Sequence, residues 1–177
     1  MTQHDALDLF HIDTDLLLKP VTYTARASLT DSALSLLTDF RQSAIVSVWI
    51  DTPIDKALEF MIQAGVRLCF VTDRDQQLRG LVSAFTIQGE APVKMMLSRG
   101  VSRNELFVRD LMEPLLSWQV VEYAQASHAR IGQVVNTMKR IGQRHLVVVE
   151  KDAAAHEWRL RGLFAASRIE AFAAEQT

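Results

Sequence analysis

Ile54, Ala57, Leu58, Met61 and Ile62 stand at i, i+3, i+4, i+7 and i+8, the spacing of one apolar helix face. Pro53 ahead of them suits a helix start, and Gly65 behind them suits a left-handed cap. The short apolar run Leu68-Cys69-Phe70-Val71 then reads as a buried strand, Asp73 to Gln77 as a polar turn, and Gly80-Leu81-Val82 as a second strand. Residues 84–98 are compatible with helix apart from Gly89 and Pro92. A strand around Ala44–Ile50 precedes the set. The same order returns later. A strand around Val120–Gln125 precedes a helix face of Ile131, Val134, Val135 and Met138, with Gly142 as its cap. Leu146 to Val149 and Trp158 to Phe164 follow as strands, and Ala165–Ala174 as a last helix.

The letters repeat as well as the pattern. Leu78-Arg79-Gly80-Leu81 and Leu160-Arg161-Gly162-Leu163 are identical, and Ala84 and Ile87 match Ala166 and Ile169 at the same shift. Over the helix and first hairpin strand the shift is shorter, pairing Ile54 with Ile131, Met61 with Met138, Gly65 with Gly142, Arg67 with Arg144 and Val71 with Val148. The difference places a five-residue insertion between 151 and 159, in a hairpin loop where added length costs little.

The expected fold is therefore α+β: two βαββα units packed sheet to sheet as a pseudo-twofold pair. Residues 1–42 form an extension and lead-in helix, 43–100 the first unit, and 101–177 the linker and second unit. Units this small bury too little surface to be robust alone, which is why a shared core is expected. The same reasoning suggests a homodimer of chains. In the flanks, Val21 to Thr24 reads as strand-like, Ala33 to Leu37 as a short helix, and Asp13-Thr14-Asp15 as loose. Ser102 to Glu105 has the form of a capping box.

Composition narrows the function. A net charge of -2 argues against a nucleic-acid surface, which needs a basic excess. No apolar run reaches the length of a membrane span and the N-terminus lacks a signal-peptide pattern, so a soluble, cytoplasmic protein is expected. The single cysteine, Cys69, sits in the apolar run and reads as a buried thiol. His4, His11, His128, His145 and His156 make no metal-ligand spacing, and no nucleophile elbow or phosphate loop is present, so no metal, catalytic residue or enzyme activity is expected. Trp158 and Met112 read as core or dimer contacts.

Three phrases carry a resemblance: Val108-Arg109-Asp110-Leu111-Met112-Glu113-Pro114, Arg144 to Glu150, and the strand ends Gly80 to Ser83 and Gly162 to Ala165. In order and spacing they resemble the cystathionine-β-synthase (CBS) domain pair, over roughly residues 34–174. The resemblance implies a regulatory module that binds AMP, ADP, ATP or S-adenosylmethionine between the units. It implies a hydroxyl on the ligand phosphate and a carboxylate on the ribose. Ser83 fills the first hydroxyl position, but Thr86 stands where the acid is expected. In the second unit Ala165 and Arg168 replace the hydroxyl and the acid, with Ser167 between them as a substitute hydroxyl. Arg168 is instead suited to a phosphate. Arg67, Arg144 and His145 are the expected cationic end of the cleft, and Thr52 its adenine end. Thr52 is also the expected N-cap of the first helix. Two functions follow as expectations: a stand-alone sensor acting through a homodimer or an effector protein, or a structural dimerisation module with degenerate sites.

Overall fold

The computed structural model describes residues 28–152 and 157–174. Val21 to Thr24, Asp13 to Asp15 and the middle of the 151–159 insertion lie outside them. A 3-10 turn at Ala33–Leu36 leads into strand β1 (Thr38–Asp39). The first unit follows as β2 (Ser47–Trp49), α1 (Ile54–Gln63), β3 (Leu68–Thr72), β4 (Leu78–Ser83), α2 (Ala84–Gln88) and α3 (Ala91–Arg99). A short 3-10 turn, α4 (Val108–Leu111) and β5 (Glu113–Pro114) lead into the second unit. That unit comprises β6 (Val120–Glu122), α5 (Tyr123–Ala126), α6 (Ile131–Ile141), β7 (His145–Lys151), β8 (Trp158–Ala165) and α7 (Ala166–Ala174). No described helix is long and apolar enough to cross a membrane.

Two four-stranded sheets result, in orders β2-β3-β4-β5 and β1-β8-β7-β6. The fourth strand of each is exchanged. β1, which leads into the first unit, pairs antiparallel with β8 of the second, while β5, which leads into the second, pairs with β4 of the first. Registers repeat across the two sheets. Gly80 faces Pro114 and Leu81 faces Glu113, as Gly162 faces Asp39 and Leu163 faces Thr38. Ile54 N–H donates to the Leu106 carbonyl, as Ile131 N–H does to that of Asp31. The pseudo-twofold relation is thus written into the hydrogen bonds.

Each unit keeps its own core between helix and sheet. Ile54, Ala57, Met61, Val71 and Ile87 close the first, and Val134, Met138, Leu146, Val148 and Phe164 the second. A third cluster joins the sheets: Phe70 and Leu81 of the first against Val147 and Leu163 of the second, with Phe40 and Trp118 edge-on to Phe70. Phe70 and Leu81 are the counterparts of Val147 and Leu163, so the seam is built by equivalent positions. The identical glycines are explained here. A Cβ on Gly80 would lie 2.2 Å from the Glu113 carbonyl oxygen, and one on Gly162 would lie 2.8 Å from that of Thr38. Glycine lets each exchanged strand approach.

Several local expectations need correction. α1 begins at Ile54 with Pro53 in the cap position and no side-chain cap, so Thr52 does not cap it. Thr52 instead uses its backbone, donating to the Trp49 carbonyl and accepting from Val108 N–H at 2.8 Å. The first strands are shorter than expected, because β6 ends at Glu122 and Tyr123–Ala126 turns into α5. Trp158 is 57% exposed and is not a core residue of the chain. Ser102 N–H does donate to Glu105 Oε2 at 2.9 Å, closing half of the anticipated box.

Candidate inter-unit site

β3 and β7 begin beside one another across the seam, which brings Arg67 and Arg144-His145 into one region. The end of β4 and the start of α7 bring Ser83 and Ser167 to the same place. Ala84 N–H donates to the Arg67 carbonyl and Ala166 N–H to that of Arg144, fixing each arginine against the start of its unit's following helix. A central cleft of about 640 Å³ opens there, lined by Arg67, Ser83, Arg144, His145 and Ser167, with Phe85, Gln88 and Glu170. Two side clefts flank it and are related by the pseudo-twofold. One, of about 390 Å³, joins Ser83 and Thr86 to Met112, Glu113, Arg144 and His145. The other, of about 210 Å³, joins Thr38, Phe40, Val66, Arg67, Leu163, Ala165 and Ser167 to His145. His145 lines all three.

Of the eight residues singled out from sequence, five line the central cleft and Thr86 lines the larger side cleft. Thr52 and Arg168 lie outside all three, and Arg168 donates from Nη1 to Thr38 Oγ1 at 3.2 Å. Ser83 is buried, and its Oγ accepts from Thr86 N–H at 3.2 Å and shares a hydrogen bond with Thr86 Oγ1 at 2.9 Å. Both hydroxyls are therefore engaged in starting α2. Arg144 makes two 3.0 Å contacts with the Glu170 carboxylate and stacks 4.4 Å from the Phe85 ring centroid.

The electrostatics are uneven. Burial pushes the half-buried His145 imidazole down to about 4, assisted by the Arg144 charge, so it is neutral near pH 7. Burial raises the Glu113 carboxyl above its ordinary value. Among the described residues Glu113 has no side-chain partner, which makes it an uncommitted carboxylate beside Arg144 and His145. Sequence reading missed Glu113, Glu170 and Phe85. Glu113 stands inside the Val108–Pro114 phrase that was recognised. Glu170 and Phe85 are counterparts of Gln88 and Ser167, and only comparison of the two copies exposes them. No group of three or more potential metal ligands occurs among the described residues.

Comparison with known proteins agrees with this architecture. Residues 37–90 match the CBS domain family. No curated protein matches the chain. An uncharacterized conserved protein from Pyrococcus horikoshii is similar over 82% of this chain and 94% of its own, with 14% identity and a TM-score of 0.55. CBSX2 in complex with AMP is similar over 82% of this chain and 97% of its own, with 23% identity and a TM-score of 0.50. A CBS-domain containing protein from Agrobacterium tumefaciens covers 76% of this chain and 89% of its own, at 17% identity and a TM-score of 0.52. The fold is that of a CBS-domain pair: the first unit matches the CBS domain family in sequence, and the second repeats that unit in structure.

Proposed function

We propose that this CBS pair is a regulatory module that binds an adenosine-type nucleotide, or a similar anion, between its units. It is a binding module, not an enzyme. The observation that carries this reading is the convergence of Arg67, Arg144, His145, Ser83 and Ser167, from both copies, on one cleft of about 640 Å³. That volume lies in the range of small-molecule sites. The structure of CBSX2 in complex with AMP supports the ligand class. Ligand binding at a seam between two units is suited to signalling, because a ligand that prefers one spacing of the units shifts their equilibrium. The signal passes to a second copy or an effector chain. Ile62 and Phe85, 71% and 63% exposed at the cleft, supply apolar surface for a twofold partner.

Thermal denaturation with AMP, ADP, ATP, S-adenosylmethionine and NADH tests the reading. A ligand at 100 times its dissociation constant adds about 2.7 kcal/mol. If none of the five raises the midpoint, the nucleotide reading fails. The alternative, a structural dimerisation module, then gains. One observation favours it: the Ser83 and Thr86 hydroxyls are spent on α2, and neither Thr86 nor Arg168 can replace a ribose-binding carboxylate.

A further inference from the structure

The two arginines of the cleft are equivalent in sequence but not in state. Arg144 is clasped by Phe85 from the opposite unit and by Glu170 from its own last helix. The pseudo-twofold carries Phe85 onto Ser167 and Glu170 onto Gln88. Arg67 therefore meets a residue with no ring and an amide with no charge, and its guanidinium has no hydrogen-bond or ion-pair partner among the described residues. The substitutions at those two positions both act on Arg144 and leave Arg67 open.

We infer that the cleft is one-sided: it takes a single phosphate-type anion on Arg67, while Glu170 serves as a tethered competing anion that keeps Arg144 out of use. This rests on the reading of the cleft as an anion site and adds its stoichiometry and control. Beside Arg67 lie the Ser167 hydroxyl and the apolar walls Phe40, Val66 and Leu163, which suit an anion carrying a compact apolar body. The clasp on Arg144 is partly solvent-exposed, so it is a weak brake. Loss of Glu170 releases it.

The test follows the arginine side-chain Nε–H signals by NMR while inorganic pyrophosphate is added. In the wild type, the Arg67 signal should move with a one-to-one isotherm while that of Arg144 stays in place. Arg67→Ala should weaken binding about tenfold or more, the loss of a charge-assisted contact. Arg144→Ala should change it less than about twofold. In Glu170→Gln the Arg144 signal should begin to move, and overall affinity should rise by up to about fivefold, the scale of one exposed ion pair. Equal movement of both arginines in the wild type overturns the inference, as does a silent Arg67. The nucleotide panel fails or succeeds separately: pyrophosphate on Arg67 without any nucleotide response leaves one-sidedness standing and removes the nucleotide.

Discussion

Arg161 and Asp39 form an ion pair between β8 and the exchanged strand β1, with Arg161 only 5% exposed. Its counterpart Arg79 remains in solvent, paired with Asp73 of its own hairpin turn. The difference lies opposite the glycines: Gly162 faces Asp39, whereas Gly80 faces Pro114, which offers no carboxylate. Arg161 is further held 3.4 Å from Glu150 and 4.1 Å over the Tyr123 ring. Removing Asp39 strands a buried guanidinium with only this partial compensation, so Asp39→Asn should cost about 2–3 kcal/mol near pH 7. The hydrogen bond from Arg161 holds the Asp39 carboxyl below its ordinary value. Its contribution is present above the unfolded carboxyl's pKa of about 3.9 and is lost as pH falls through the lower folded value. Urea denaturation should therefore show the mutant and wild type converging in acid.

Gly80→Ala and Gly162→Ala should each loosen an exchanged strand. At Gly80 every close neighbour of the added methyl is backbone, while at Gly162 two of the three are atoms of the Leu37 side chain, which can shift more readily than backbone though it is buried. Losses of about 1–3 kcal/mol are expected for such overpacking, larger at Gly80. Hydrogen exchange should accelerate first at the amide of Glu113 and at those flanking β5 in Gly80→Ala, and around Thr38 and Asp39 in Gly162→Ala.

His145 should titrate far below an ordinary imidazole, since burial takes it to about 4. The unfolded chain takes up this proton near pH 6.5 and the folded chain does not, so stability is whole above that value. It should fall as pH drops from about 6.5 towards 4 and level off below, by on the order of 2–3 kcal/mol. His145→Leu, which installs the residue found at the equivalent Leu68, should flatten this part of the stability profile. An imidazole NMR titration with a midpoint near 6.5 would show the side chain to be solvated instead.

Cys69 is fully buried, and burial pushes its thiol up to about 11. A disulfide reagent at pH 8 should leave the native protein unmodified and label it at the rate of unfolding. Rapid stoichiometric labelling without denaturant would contradict the packing of β3.

The repeat was legible because its glycines, apolar faces and hairpin strands answer to local rules that act within a dozen residues. The strand exchange was not. β1 and β5 have two residues each, too short to show any alternation, and their partners lie more than thirty residues away along the chain. Thr52 misled because threonine before proline is a sound cap in isolation, whereas here Pro53 takes that position and bridges to Phe107. At the cleft, Arg67, Ser83, Arg144, His145 and Ser167 were singled out in sequence, and they line one cavity. The equivalence of Arg67 and Arg144 in the two copies concealed their inequality, which depends on Glu170, 26 positions beyond Arg144. Residues 1–27 stand outside the described structure, along with His4 and His11.

The exchange of β1 and β5 makes the protein a reciprocal clasp. A fragment severed near Gly100 keeps a strand that completes the other fragment's sheet and lacks the one that completes its own. Each half alone presents an unfinished edge, open to unwanted pairing. Each is finished only by meeting its complement, so the two halves have the properties of a split reporter whose signal is reassembly itself.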